Sequence, residues 1–229
     1  MTTRFSKYFD HTLLKPTATE ADILLVCEEA NNYDFASVCV NLTQVAYARK
    51  NLNADIKVCT VIDFPFGSST ASAKLMQVKD AAGLGAEEVD VVINIGKLLE
   101  GAKEYCVAEL KPICEYAHKN KMLVKIIVET CYLNEKQIKD ACELVETSGA
   151  DFIKTSTGYG TRGASYDDIL LFKKYLKGKT EIKASGGIKT LEQAKKFLSL
   201  GATRLGTSSA VKIINDAYSA GCIAGDKNV

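Results

Sequence analysis

The sequence carries almost no net charge: 29 lysine and arginine residues against 28 aspartate and glutamate residues leave +1 at pH 7. It therefore has no polybasic field for nucleic acid or an anionic membrane surface, and any anionic partner must be bound locally. Histidine is almost missing as well. His11 and His118 are the only two, and no His/Cys/carboxylate cluster stands at ligand spacing, so neither a metal nor another cofactor is expected. No window approaches the roughly 18 apolar residues of a membrane-spanning helix. The leading segment MTTRFSKYFDHTLLK lacks the apolar stretch of a secretory signal. Cysteines are present (Cys27, Cys39, Cys59, Cys106, Cys114, Cys131, Cys142 and Cys222) but never as C-x-x-C. Most lie in apolar periodic segments, where a free thiol behaves as a small hydrophobe, which favours a reducing compartment. A cytoplasmic protein without nucleic-acid or membrane partners is the expectation.

What is there is a regular alternation. Short apolar or β-branched runs stand at residues 36–40 (ASVCV), 57–63 (KVCTVID), 88–94 (EVDVVIN), 123–129 (LVKIIVE), 151–156 (DFIKTS), 181–185 (EIKAS) and 203–208 (TRLGTS), with a weaker eighth at 8–14 (YFDHTLL). Helical spacing falls between them, as in Ala71, Leu75, Val78 and Ala82, or Ile138, Cys142 and Val145. Asn134 with Gln137, Ser165 with Asp168, and Thr190 with Gln193 resemble capping boxes. Pro112 interrupts the helical pattern that follows residue 97, so a kink or break is expected near 108–111. Strand and helix repeated along the whole chain, with no long linker, predict an α/β fold: a single (β/α)8 TIM barrel over residues 1–229, with a doubly wound sheet as the alternative.

The helix-to-strand joints repeat. LGAEEVDVV, SGADFIKTS and LGATRLGTS align without gaps, and a glycine ending each helix can take the left-handed conformation. Five residues past Gly85, Gly149 and Gly201 stand Asp90, Lys154 and Gly206; the same count from Gly178 reaches Lys183. Taking Asn120 as a left-handed residue, it also reaches Lys125. Equal joints would point these positions to one side, toward the barrel axis, so a carboxylate, two ammonium groups and a gap would meet there. A lone strand lysine is ordinarily an outward, paired charge, and Lys57 is read that way. Lys154 and Lys183 differ because they share a register with each other and with an acid. Two buried ammonium groups are costly side by side; the expected relief is a neutral amine on one and an ion pair with Asp90 on the other. A neutral buried amine is a nucleophile for carbonyl compounds, forming a Schiff base.

Three turns follow the late strands: STGYG (156–160), ASGGI (184–188) and GTSSA (206–210). They offer unhindered backbone N–H groups, with nearby hydroxyls, and the last runs into a helix N-terminus, which favours an anion. Each alone is ordinary tight-turn chemistry; three at the same end of adjacent strands match a barrel phosphate site. A phosphorylated substrate is expected.

Over nearly its whole length, from DHTLLKP through SVCVN, VIDFPFG, EVDVVINIG, KIIVET, DFIKTSTG and IKASGGI to GTSS, the chain resembles the deoxyribose-phosphate aldolase family. That resemblance implies a metal-independent class I lyase, reversibly cleaving 2-deoxy-D-ribose 5-phosphate to acetaldehyde and D-glyceraldehyde 3-phosphate. It implies that Lys154 forms the Schiff base, that Lys183 perturbs it and joins proton transfer, and that Asp90 works with Lys183 through a water. It places phosphate or substrate contacts on Thr157, Gly158, Gly186, Gly187, Gly206, Ser208 and Ser209, and puts Asp10 at the substrate end. Relatives suggest a homo-oligomer, dimer or tetramer. Tyr159 and Arg162 stand in a loop that varies among relatives. Some members end in a tyrosine proposed to reach the site; AGDKNV at the end of this chain has none, so no proton-transfer step is carried over to it.

Other readings of the same residues are a transaldolase-like Schiff-base barrel, a phosphosugar isomerase that would not need Lys154, and a noncatalytic phosphosugar-binding barrel. His118 is read as a surface residue. Cys39 is read as a core thiol, or alternatively as a thiol at the site mouth exposed to reactive aldehydes.

Overall fold

The structure is a computed structural model that describes residues 4–222; the chain end AGDKNV lies outside the described residues. Eight strands follow one another around a closed, all-parallel barrel: β1 (Phe9–Leu13), β2 (Ser37–Val40), β3 (Lys57–Ile62), β4 (Glu88–Val92), β5 (Leu123–Ile127), β6 (Phe152–Lys154), β7 (Glu181–Ser185) and β8 (Arg204–Thr207). Closure comes from pairing of β8 with β1, Gly206 lying opposite Asp10. This is the TIM barrel, and the strand order leaves no place for the reversal of a doubly wound sheet. The weak segment 8–14 is a full member of the barrel.

The helices on the outside are α1 (Glu20–Tyr33), α2 (Val45–Asn51), α3 (Ala71–Leu84), α4 (Ile95–Leu99), α5 (Lys103–Lys119), α6 (Glu135–Ser148), α7 (Tyr166–Tyr175), α8 (Leu191–Leu200) and α9 (Ala210–Ser219). Strand alternation divides the sheet residues into two sets. Val38, Val58, Val89, Val91, Val124, Ile126, Ile153, Ile182 and Leu205 point outward and join Ile23, Val78, Leu110, Val145, Phe172 and Ile213 of the helices in one apolar layer. The other set fills the lumen and is mostly polar or charged, with Cys39, Cys59 and Val61 forming a separate small apolar cluster. The hydrophobic drive for closure thus comes from the sheet–helix layer, each fully buried Val, Leu, Ile or Phe contributing about 1.5–3 kcal/mol.

Local signals set the helix ends. The three expected capping boxes form at α6, α7 and α8, and a fourth, Thr19 with Asp22, starts α1. Gly85, Gly149 and Gly201 end α3, α6 and α8 in the left-handed region, with φ of 94°, 82° and 116°. Two other joints differ from expectation. Helix α7 ends at Leu176 in an extended conformation, so Gly178 is not its cap. After α5, Asn120 has φ −97° and Lys121 takes the left-handed role at φ 60°. The strand entry beyond Lys121 is one residue shorter than that beyond Gly85, and the two offsets cancel. Lys125 therefore still pairs in register with Asp90.

The expected break near Pro112 does not occur. Helix α5 runs through it, and the interruption lies earlier, between α4 and α5, where Gly101 has φ 73°. Ala108 and Pro112 are both exposed, so the carbonyl that the proline leaves without a donor is on the solvated face. On α3 the deepest stripe is Lys74, Val78 and Ala81, one step around from the expected apolar positions. Lys74 is fully buried. Its Nζ donates to the carbonyls of Gly67 (3.0 Å) and Val92 (2.9 Å), pairs with Glu109 of α5 at 2.9 Å and lies 3.5 Å from Asp63. The ammonium pins the loop after β3 to α5. At Gly67, φ 65°, an added Cβ would lie 2.2 Å from the Ile93 carbonyl oxygen, so only glycine fits.

Removing one partner of a buried ion pair leaves an uncompensated charge, a cost of about 3–5 kcal/mol. Glu109→Ala should destabilise the protein by about that amount, read from urea unfolding, and Lys74→Met with Glu109→Leu should recover most of it. A single variant within about 1 kcal/mol of the parent would show that the Lys74 carbonyl contacts suffice.

Candidate active site

The lumen holds four cations and three carboxylates. Asp90 stands at the centre: its Oδ2 accepts from Lys154 at 2.6 Å and from Lys183 at 2.7 Å, and its Oδ1 accepts from Lys125 at 2.9 Å. Lys183 also donates to Asp10 Oδ2. Asp10 Oδ1 accepts from Ser37 Oγ (2.7 Å) and Arg204 Nη1 (2.6 Å). Glu88 pairs with Lys125 at 2.5 Å and with Arg204 at 3.1 Å. Strand register builds this arrangement: Lys154 lies beside Lys183 and Asp90 beside Lys125, all inward. Gly206 supplies the gap. A Cβ there would sit 3.1 Å from Lys183 Cε and 3.0 Å from Ser185 Cβ, so the glycine makes room for the lysine stem.

Charge sets the protonation states. Burial alone would raise the Asp90 pKa, but the ammonium groups of Lys125, Lys154 and Lys183 outweigh it and hold the carboxyl well below its usual range. Asp10 is lowered in the same way, against burial, by Arg204, Lys183 and Lys125. Lys183 and Lys125 are pushed upward: burial opposes their charge, yet Asp10 and Asp90 overcome it at Lys183, and Asp90 leads at Lys125. The expected relief by one ion pair is thus replaced by a shared network. Lys154 differs from the other cations in having a single carboxylate partner, whereas Lys183, Lys125 and Arg204 each touch two or more.

Lys154 lies at the floor of a cavity of about 280 Å³ at the carboxyl ends of the strands. Thr157, Gly158, Gly186, Gly187, Gly206, Ser208 and Ser209, all expected at the site, line it together with Lys15 and Lys189. Gly158, Gly186 and Gly187 have φ of 89°, 83° and 78°. The backbones of Gly158, Gly163 and Gly186 touch: a Cβ on Gly186 would lie 3.0 Å from Gly163 Cα and 3.4 Å from Gly158 Cα. Ser209 is the N-cap of α9 but makes no side-chain bond to its first turn, which holds no acid, so those N–H donors suit an external anion. Asp10 does not line the cavity; fully buried beneath it, it joins Lys183 to Arg204, because its inward position on β1 is one layer below Thr12. Asp90 and Lys183 lie under the floor as well.

The loop residues take structural positions. Tyr159 donates from its hydroxyl to the Leu14 carbonyl at 3.1 Å and packs edge-on against Phe64. Arg162 turns away to a two-armed pair with Asp168 at 2.6 and 2.9 Å. Glu129, buried at φ 52°, accepts from the Thr157 N–H at 3.1 Å and from its hydroxyl, and so holds the turn after β6. Lys57 pairs at the surface with Glu87, and His118 with Asp151. Glu88 and Arg204 went unassigned by the sequence, yet each stands two residues before an inward position, Asp90 and Gly206, and period two marks both as inward. Nothing local marks Glu129. Cys39, Cys59 and Asp90 stand close enough to share a cation, but three ammonium groups already share that carboxylate, so the charge fits a metal poorly. A larger cavity, about 690 Å³, opens at the opposite face near Arg204, Asp151 and Glu181.

Residues 5–226 match the family model described as DeoC/LacD family aldolase. A deoxyribose-phosphate aldolase of Treponema denticola is 57% identical over 210 residues, 91% of this chain and 97% of that protein. Among solved structures, QR15, an aldolase, aligns with a TM-score of 0.90 at 38% identity, covering 96% of this chain and 99% of that one. The tetrameric deoxyribose phosphate aldolase of Aeropyrum pernix aligns with a TM-score of 0.85 at 30% identity, covering 94% and 91%.

The shifted groups fix how stability follows pH. Asp10 and Asp90, lowered in the fold, contribute stability that is complete above the unfolded carboxyl value near 3.9 and is lost as pH falls toward their lower folded values. Lys125 and Lys183, raised, contribute stability that is complete below about 10.4 and is lost as pH rises through their higher folded values. Urea titrations should fall off below about pH 4. Asp10→Asn should cost about 3–5 kcal/mol at neutral pH and flatten that acid limb. An unchanged acid limb would locate the acid sensitivity elsewhere.

Proposed function

The chain belongs to the DeoC/LacD aldolase family, and from that premise we propose a class I lyase that cleaves 2-deoxy-D-ribose 5-phosphate reversibly to acetaldehyde and D-glyceraldehyde 3-phosphate through a Schiff base on Lys154. The observation that carries the assignment of the lysine is which cation reaches the cavity. Lys125, Lys154, Lys183 and Arg204 face Asp10, Glu88 and Asp90, and of the four only Lys154 also lines the cavity. Lys154 is the cation with one carboxylate partner and also the one that opens to the cavity, so its amine is the one an incoming carbonyl carbon can reach.

The Lys154 amine adds to the aldehyde carbon of the open-chain sugar and water leaves, giving a protonated imine. The C3 hydroxyl loses its proton, the C2–C3 bond breaks, and its electron pair moves toward the iminium nitrogen to leave an enamine. Glyceraldehyde 3-phosphate departs. Asp90 and Lys183, held 2.7 Å apart directly under the amine, move the proton from the hydroxyl to the enamine carbon by way of a water, and hydrolysis returns Lys154 and acetaldehyde. The phosphate rests on the turns at Gly158, Gly186 and Gly187 and on the first turn of α9 beside Ser208 and Ser209, with Lys15 and Lys189 supplying local positive charge. Asp10 acts through Lys183 and touches no substrate.

The barrel is the one catalytic domain of this reading. The tetrameric Aeropyrum pernix structure supports a homo-oligomer, which light scattering of the purified protein would measure. Eight free thiols support a reducing compartment such as the cytoplasm.

Borohydride reduction of the protein mixed with acetaldehyde should leave a two-carbon adduct confined to Lys154, found by peptide mass spectrometry. Lys154→Ala should abolish both the adduct and turnover while retaining the fold. An adduct on Lys183 or Lys125 would reassign the roles, and no adduct at all would favour a noncatalytic phosphosugar-binding barrel. Ser208→Asp should raise KM for the phosphorylated sugar about tenfold or more through repulsion of the phosphate, with kcat changed less. An unchanged KM would place the phosphate elsewhere.

A further inference from the structure

The reaction leaves two buried nucleophiles unused. Cys39 on β2 and Cys59 on β3 are direct register partners, both inside the lumen and at most 1% exposed. Neighbouring strands lie about 4.8 Å apart, within the Cα separation of about 4.4–6.8 Å that a disulfide spans. Their sulfurs lie within 4.8 Å of each other and of an Asp90 oxygen. Both are free thiols. We propose that Cys39 and Cys59 form an oxidative modification site, at which a small peroxide closes an intramolecular disulfide that shuts down the lyase. The inhibitory half of this rests on the lyase reading; the disulfide itself does not.

The surroundings favour Cys39 as the thiol that reacts first. Thr12, the β1 register partner of Cys39, lines the cavity of about 280 Å³; neither cysteine lines it, so a two-oxygen molecule must pass Thr12 at the cavity floor to meet that sulfur. The Cys59 S–H beside it lowers the Cys39 pKa, helped by the ammonium groups of Lys183 and Lys154 and opposed by burial and Asp90. The other buried thiols lack this support: burial pushes Cys59 well above the usual thiol range, and Cys114 and Cys142 up to about 12, so Cys39 attacks first and Cys59 second.

The Cys39 thiolate attacks one peroxide oxygen and the O–O bond breaks; the departing oxygen takes a proton and leaves as water or an alcohol. The Cys59 sulfur then attacks the sulfenic sulfur, its proton leaving with the hydroxyl as water. Two thiols are oxidised by two electrons, and the peroxide is reduced by two. Cys59 Sγ now donates to Asp90 Oδ1 at 3.2 Å and accepts from Lys125 at 3.4 Å. A disulfide has no S–H, and bonding to Cys39 draws the sulfur toward β2. Asp90, the proton-transfer carboxylate, loses a donor and Lys125 loses a partner.

The test uses the full chain with Cys131→Ser and Cys222→Ser, which removes the two more accessible thiols. Hydrogen peroxide should produce a peptide cross-link between residues 39 and 59, two hydrogens lighter than the separate thiols. Turnover should fall at least tenfold in step with it and return with dithiothreitol. The same chain carrying Cys39→Ala should keep a ratio of treated to untreated turnover near one, a measure independent of its basal rate. Absence of the cross-link, oxidation stopping at a sulfinic acid, or equal loss in the Cys39→Ala chain would overturn the proposal. A cross-link without loss of turnover would overturn its inhibitory half. No turnover before peroxide would count against the lyase reading alone, because the cross-link is read by mass.

Discussion

The contact on which the rest depends is Asp90 shared by three ammonium groups inside a closed barrel. Seven ionised side chains cannot be carried into a low-dielectric interior unless nearly every one faces an opposite charge, because each unpaired ion costs several kcal/mol. Here the carboxylates are divided so that no cation lacks one: Asp90 serves Lys125, Lys154 and Lys183, Asp10 serves Lys183 and Arg204, and Glu88 serves Lys125 and Arg204. Such a network contributes little net stability. It is tolerated because the apolar layer between sheet and helices supplies the drive for folding, and it leaves Lys154, alone of its four cations, on the lining of the cavity.

The two ends of the barrel then have different work. At the carboxyl ends of the strands the loops are glycine-rich, and backbone approaches backbone at Gly158, Gly163 and Gly186, which keeps N–H groups free of side-chain cover. At the opposite end Arg204 closes the ionic column, its guanidinium carbon over the Phe152 ring at 5.5 Å from the centroid. The cavity that meets Lys154 lies at the carboxyl ends, away from Arg204. Gly206 links the two functions, lining the cavity on one side and making space for the Lys183 stem on the other.

A second buried ammonium, Lys74, has no part in the chemistry but shapes the site from outside. By pinning the loop after β3 to α5, it fixes Phe64 against Tyr159, and Tyr159 in turn reaches the Leu14 carbonyl. Three loops from β1, β3 and β6 are thereby tied together at the cavity mouth. The side chain of Arg162, from the same loop as Tyr159, is spent on Asp168 within the α7 cap, so the loop contributes a ring and not a cation to the mouth.

The sequence by itself determined the eight units, the N-terminal capping boxes of α6, α7 and α8, and the inward register of Asp90 and Lys154, since period-two and period-3.6 patterns and glycine caps are local and survive without knowledge of neighbours. It misplaced the ends of α5 and α7, although Lys125 and Lys183 still face inward, and it misplaced the break at Pro112; the deciding factors were the lengths of the turns and which carbonyl faces solvent. Only the tertiary structure decided who pairs with whom. Asp10 moved from the substrate to the network below it, Lys74 became buried on an otherwise ordinary helix, and Glu129 came to hold the Thr157 turn. The Glu129–Thr157 and Asp10–Arg204 contacts join residues 28 and 194 positions apart. Closure of the barrel brings them together, and no local pattern encodes the partner across the lumen.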